Sequence, residues 1–255
     1  MKDTALFFTE RHLAVYAYDQ RGFGEAPQRY RWSGADAMTG DLKTFVRLLR
    51  KQHPTAPLYL LGDSMGAAVV MVAMAEKNPL EVDGVILVAP AVWSRTTMPF
   101  YQRWLLWLAR HLMPWAVVSG KHLDITPSDN DEMLRELGRD PLMIKKSRID
   151  TLHGLVNLMD AAYKAGGGFN AKTLVLYGDK DEIIPRKPVY QVFEGFRNAD
   201  PVRKRFVLYP NGYHMLMRDL QARTVLDDIV TWLADPGQTL PSVSKGAARM
   251  EFITP

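Results

Sequence analysis

The chain contains no cysteine, which excludes disulfides, thiolate nucleophiles and cysteine-ligated metal sites and fits a reducing compartment. It has no run of about 18 uncharged apolar residues, so no segment reads as a membrane-spanning helix. The first residues, MKDTALFFTERH, lack the apolar h-region and small-residue cleavage site of an export signal. These absences together predict a cytoplasmic location. Charge of either sign is in short excess: 32 basic against 28 acidic residues give a formal +4. The longest basic cluster, Arg203-Lys204-Arg205, is too short for a nucleic-acid surface and reads as a solvated face. Internal repeats are absent. What the chain has is 255 residues, 47% of them hydrophobic, enough to bury the core of one domain carrying an insertion.

Short β-rich runs alternate with helical patterns, which predicts a mostly parallel sheet covered by helices. The candidate strands are LAVYAYD (13–19), LYLLG (58–62), GVILVA (84–89), KTLVLYG (172–178) and RFVLY (205–209). Most are near-continuous apolar runs, as strands buried on both faces require. Helical patterns fall between them at 36–52, 65–77, 187–197 and 219–234.

One interval is too long for a normal crossover: about eighty residues separate GVILVAPA from KTLVLYG. Its segments PFYQRWLLWLARHLM, SDNDEMLRELGRD and SRIDTLHGLVNLMDAAYKA have helical periodicity, so residues 92–168 read as an inserted helical subdomain. The flanking core is then 1–91 and 169–234. Ser128 with Asp131 resembles a capping box opening the second inserted helix. Residues 235–255 lack periodicity and are expected to form a loose tail.

Gly62-Asp63-Ser64-Met65-Gly66 is a G-x-S-x-G motif between a strand and a helix. Such a bend lifts the Ser64 hydroxyl above the sheet, and glycine is expected at both flanks because a side chain there would clash. The Met65 N–H and the positive end of the helix can face a developing oxyanion. A serine hydroxyl needs a base, and the base an orienting acid. Asp179 and Asp181 follow one buried strand and His214 follows the next, so all can gather at the carboxyl ends of the sheet. The remaining histidines, His12, His53, His111, His122 and His153, read as structural or surface residues.

The motifs YDQRGFG, LLGDSMG, LVAPA, ITPSDNDEML, RDPL, YGDKDEIIP and YPNGYHML together resemble the α/β-hydrolase fold. More closely they resemble the monoacylglycerol lipase and lysophospholipase branch of bacterial serine hydrolases, from about Leu13 to Leu233. The resemblance implies a triad of Ser64, Asp181 and His214, with Asp179 a turn residue. It makes DQRGFG a structural turn, in which Asp19 and Arg21 have no direct catalytic part. It implies no cofactor and no metal, and it makes the insertion a cap over the site. The implied substrate is a small lipid ester carrying one acyl chain, on glycerol or a lysophospholipid.

Two departures from the family stand out. Many relatives carry histidine before the nucleophile where this chain has Asp63; an acid there cannot replace a base and is expected only to change the pocket's polarity. The family also begins with three further strands and a His-Gly loop that supplies a second oxyanion N–H. This chain starts in what resembles the end of the helix that follows, so Met1 is expected not to be the natural start. Without the intervening strand, LAVYAYD and LYLLG must either leave two edges unpaired or close on each other, and closure is the cheaper outcome.

The stretch 98–118 concentrates Phe100, Trp104, Leu105, Trp107, Leu108, Leu112, Met113 and Trp115 at helical spacings, with Arg103 and Arg110 free to lie off that face. This face is expected to pack down on the rest of the cap, and part of it, with Trp93, to line an acyl-chain channel. Peripheral contact with a lipid surface is a further expectation. The alternatives left open are an esterase for small soluble esters, an impaired fragment lacking part of its oxyanion hole, and a non-catalytic binding protein.

Overall fold

The computed structural model describes residues 2–78, 80–120 and 124–251. Four apolar runs become the parallel strands β1 (Tyr59–Asp63), β2 (Gly84–Val88), β5 (Lys172–Gly178) and β6 (Lys204–Tyr209). A short strand β7 (Arg249–Glu251) adds antiparallel to β6, giving the order β1-β2-β5-β6-β7. Successive side chains of a strand point to opposite faces. Val85, Leu87, Val175, Tyr177, Phe206 and Leu208 therefore enter one core, and Ile86, Val88, Leu174, Leu176, Val207 and Tyr209 the other.

On the first face lie α2 (Ala35–Gln52), α3 (Met65–Met74), α6 (Ile149–Ala165) and α7 (Arg186–Phe193). Helix α2 buries Met38, Leu42, Val46 and Leu49, the one-sided stripe of an amphipathic helix. Helix α3, MGAAVVMVAM, is apolar all round because it lies between β1, α2 and α6. Gly154 of α6 has no room for a side chain: a Cβ there would meet the Trp32 ring at 2.3 Å. The second face carries α1 (Lys2–Thr9), which buries Phe7 and Phe8, and α8 (Ala222–Ala234) with Trp232 fully enclosed.

Between β2 and β5 lie α4 (Phe100–Leu112), the ribbon β3 (Val117–Val118) with β4 (Ser147–Arg148), α5 (Asp131–Arg139), and α6. None of these helices is long and apolar enough to cross a membrane, nor is any other described helix.

Several sequence expectations need correction. Leu13–Asp19 forms no strand and does not pair with β1. Tyr16 Oη bonds His53 Nε2 at 2.7 Å and the Tyr18 ring packs on Phe45, so side chains hold a mostly exposed segment that has water for its backbone. Residues 235–251 are not a loose tail, and the rest of that expected tail lies outside the described residues. Helix α9 (Pro241–Ser244) and β7 dock against the second core through Leu240 and Ala248. Buried Asp228 of α8 accepts from the Ser242 N–H at 2.9 Å, from the Ser242 hydroxyl, and from Tyr209 Oη at 2.6 Å.

The capping box is also absent. Asn130, not Ser128, caps α5, its Oδ1 accepting from the Met133 N–H at 3.1 Å. In α4 the packed stripe is the reverse of the expected one: partly buried Gln102, Leu106, Ala109 and Arg110 face the protein. Phe100, Trp104, Leu105, Trp107, Leu108 and Leu112 are exposed, and no residue of the helix is fully buried.

Candidate active site

Strand β1 ends by turning sharply into α3, and Ser64 takes the corner at φ 52, ψ −111, a region sparsely populated for a residue with a side chain. The neighbouring chain holds it there. The Ser64 N–H donates to Val88 O at 2.9 Å, and its carbonyl accepts from the Ala91 N–H at 3.1 Å. Gly62 is obligatory, since a Cβ would lie 2.6 Å from the N and Cα of Ala67. Gly66 is not, because a Cβ there meets nothing within 4 Å. The symmetrical argument for both glycines therefore fails: only the strand side of the bend faces backbone.

The candidate acid and base come from two loops that touch. A Cβ on Gly178 would lie 2.4 Å from Gly212 O, and the Lys180 N–H donates to the same oxygen at 2.8 Å. Asp181 Oδ1 accepts from the N–H groups of Ile183 and Ile184, both at 2.9 Å. Its Oδ2 is left for His214 Nδ1 at 2.8 Å, and His214 Nε2 lies 2.9 Å from Ser64 Oγ. An ionised carboxylate only accepts, so Nδ1 carries the imidazole proton and Nε2 presents a lone pair to the hydroxyl. Asp181 and His214 are both buried. Asp179 is exposed and pairs with Arg186 at 2.9 Å, away from the histidine.

Burial opposes a charge on His214, but the hydrogen bond and charge of Asp181, with Asp63 and Asp219 beyond, hold its pKa above the ordinary imidazole value. Burial likewise pushes the Asp63 carboxyl up to about 6 despite the nearby imidazole. Asp63 thus acts on the base itself, more than the change in pocket polarity expected of it. Met65 opens α3, where a first-turn N–H has no helical acceptor.

Other predicted residues fall elsewhere. Trp93 is partly buried against the first core, whereas Phe100, Trp104 and Trp107 are 70%, 60% and 52% exposed. Asp19 accepts from the Glu25 N–H at 2.9 Å, and Arg21 makes a two-pronged ion pair with Asp41 at 2.6 and 2.8 Å, both within a turn scaffold. His12 and His111 are exposed, and His53 and His153 are partly so; His122 lies outside the described residues. Among the described residues no group of three His, Asp or Glu could hold a metal ion.

Sequence reasoning missed one feature of the site. The segment Thr126–Asn130 of the insertion is stitched to both catalytic-side loops. The Thr126 N–H donates to Glu182, beside Asp181, at 2.7 Å. The Met215 N–H donates to Pro127 O at 2.9 Å, and Ser128 Oγ donates to Asp219 Oδ1 at 2.6 Å. No local spacing signals a pairing across 91 residues.

A strained serine at a strand-to-helix corner, a histidine and a buried aspartate on successive strand ends, and a parallel sheet between helical layers define an α/β-hydrolase. The chain belongs to the family described as serine aminopeptidase, S33, whose model matches residues 1–221. Among curated relatives it is similar to a monoacylglycerol lipase of Mycolicibacterium smegmatis, 28% identical over 233 residues that cover 87% of this chain and 78% of the relative. It is similar also to a monoglyceride lipase of Rattus norvegicus, 27% identical over 229 residues, 87% of this chain and 73% of that one. The crystal structure of a monoacylglycerol lipase from Paleococcus ferrophilus shares the fold, with a TM-score of 0.74 over 91% of this chain and 87% of that one at 20% identity.

Proposed function

We propose that this protein is a serine carboxylic ester hydrolase acting on lipid esters with one acyl chain, monoacylglycerols or lysophospholipids. His214, oriented by Asp181, takes the Ser64 proton as Oγ attacks the ester carbonyl. The Met65 N–H and the positive end of α3 stabilise the tetrahedral oxyanion. Imidazolium then protonates the departing alcohol, leaving an acyl-Ser64 ester. Water, deprotonated by His214, attacks that ester, and the returning proton regenerates the serine as the fatty acid leaves. The observation that carries this reading is the unbroken path from Asp181 Oδ2 to His214 at 2.8 Å and from His214 to Ser64 Oγ at 2.9 Å. The names of the curated relatives support the substrate class.

The exposed apolar face of α4 and the loop after it (Phe100, Trp104, Leu105, Trp107, Leu112, Trp115) is read as the surface that meets lipid. No acidic residue occurs on α4, and exposed Arg103 beside this face adds a positive charge suited to an anionic leaflet.

A fluorophosphonate label and hydrolysis of a long-chain monoacylglycerol test the assignment. Ser64→Ala abolishes both, and Asp181→Asn lowers turnover by about 10⁴-fold while Asp179→Asn leaves it within about twofold. Equal labelling of wild type and Ser64→Ala, or the opposite ranking of the two aspartates, overturns it.

A further inference from the structure

We propose that Ser128 and Asp219 form a positioning pair through which the inserted helical segment sets the orientation and charge environment of His214. The proposal rests on the reading of His214 as the general base and goes beyond it by assigning a part to the insertion that touches neither serine nor substrate.

The geometry is specific. Asp219 lies five positions after His214 and is 2% exposed; Ser128 is 1% exposed. Asp219 Oδ1 accepts from Ser128 Oγ at 2.6 Å, and Oδ2 accepts from the N–H of Tyr213, the residue immediately before the base, at 2.8 Å. The Ser128 oxygen in turn accepts from the Asn130 N–H at 3.2 Å. Around this pair, the Leu220 N–H donates to Asp129 Oδ1 at 2.8 Å, Asn130 Nδ2 donates to Arg218 O at 3.0 Å, and the Met215 N–H donates to Pro127 O at 2.9 Å. The loop carrying the base is thus gripped from Met215 to Leu220 by one short stretch of the insertion, and Asp219 carries that hold across to Tyr213 on the other side of His214. Without Ser128, a buried carboxylate loses a hydroxyl donor and its hold on Tyr213 weakens.

Charge gives the pair a signature that packing alone lacks. The ionisable groups facing His214 are Asp181 from the β5 loop, Asp63 from β1, and Asp219 from its own loop. Those facing Asp219 are Asp129 and His214 itself, and its carboxyl is already held above the ordinary range, first by burial. An ionised Asp219 favours imidazolium. Removing its charge by Asp219→Asn, or favouring its protonated form by Ser128→Ala, therefore lowers the His214 pKa and moves the acidic limb of kcat/KM to lower pH.

The test uses the full chain with a soluble p-nitrophenyl ester across pH, far-UV circular dichroism to count folded enzyme, and NMR titration of the His214 ring. Ser128→Ala is expected to lower kcat about tenfold with KM within about twofold, to move the acidic limb down, and to recover with Ser128→Thr. Asp219→Asn moves the limb the same way. An unmoved limb and ring titration in both variants overturns the proposal, as does loss of fold in both, which would make the pair structural only. An inactive wild type is a failure of the hydrolase reading instead; the ring titration still decides the inference in that case.

Discussion

Gly62 and Gly66 flank the nucleophile symmetrically in sequence and asymmetrically in space, so Gly62→Ala and Gly66→Ala are expected to diverge. A methyl on Gly62 would sit 2.6 Å from the N and Cα of Ala67, where real contacts essentially never fall under 3.0 Å and ordinary contact begins at 3.4 Å. The first turn of α3 must then retreat by about 0.4–0.8 Å, carrying Ser64 with it. The Ser64–His214 contact is 2.9 Å, and misplacement by about 1 Å can cost about 10²-fold in rate. Strain of about 1–3 kcal/mol is expected as well. The Gly66 methyl meets nothing within 4 Å and lies inside the first turn of a helix. There alanine is favoured over glycine by about 0.5–1 kcal/mol, a rise in Tm of a few degrees at most for a chain of this size. Single-turnover acylation by a p-nitrophenyl ester, with thermal melts of the same samples, reads both quantities. Equal losses in the two variants, or a Gly62→Ala enzyme acylating at more than half the wild-type rate, would refute the argument from the close approach to Ala67.

Two further outcomes follow from the site and from α4. Asp63→Asn removes a negative charge that favours imidazolium, so the base deprotonates more easily and the acidic limb of kcat/KM moves to lower pH. Because Asp63 itself titrates at about 6, the wild-type limb should be broader than a single ionisation, and narrow in the variant; a stopped-buffer pH series checks this. Trp104→Glu with Trp107→Glu should abolish sedimentation with anionic vesicles while leaving hydrolysis of a soluble short-chain ester within about twofold; unchanged vesicle binding would remove α4 from the lipid-facing role.

The parts of this molecule that were legible in the sequence are those where one local rule dominates. GVILV, LVLYG and FVLY are unbroken runs because both sheet faces are covered there, and all became strand. Ser64 and His214 were legible because each follows such a run. LAVYAYD carries the same composition but needs an adjacent edge to pair with, and composition does not reveal whether one is there. The face of α4 was misjudged because a helix apolar on most sides leaves its packed stripe to be chosen by neighbours, here the Leu106 side. Ser128 and Asp219 meet across 91 residues, a distance over which only tertiary structure speaks. The C-terminal residues lacked periodicity because their order comes from one buried carboxylate and two apolar anchors, not from a repeating face.

That last arrangement bears on how the protein can be handled. A chain cut after Ala234 would strip Asp228 of both donors supplied by Ser242, leaving the buried carboxyl its bond from the phenol of Tyr209. Losing such donors to a buried polar group costs about 1–3 kcal/mol, a noticeable share of what holds a domain together. Shortening this protein to its recognisable motifs would sacrifice the plug that seals the second core beneath the sheet.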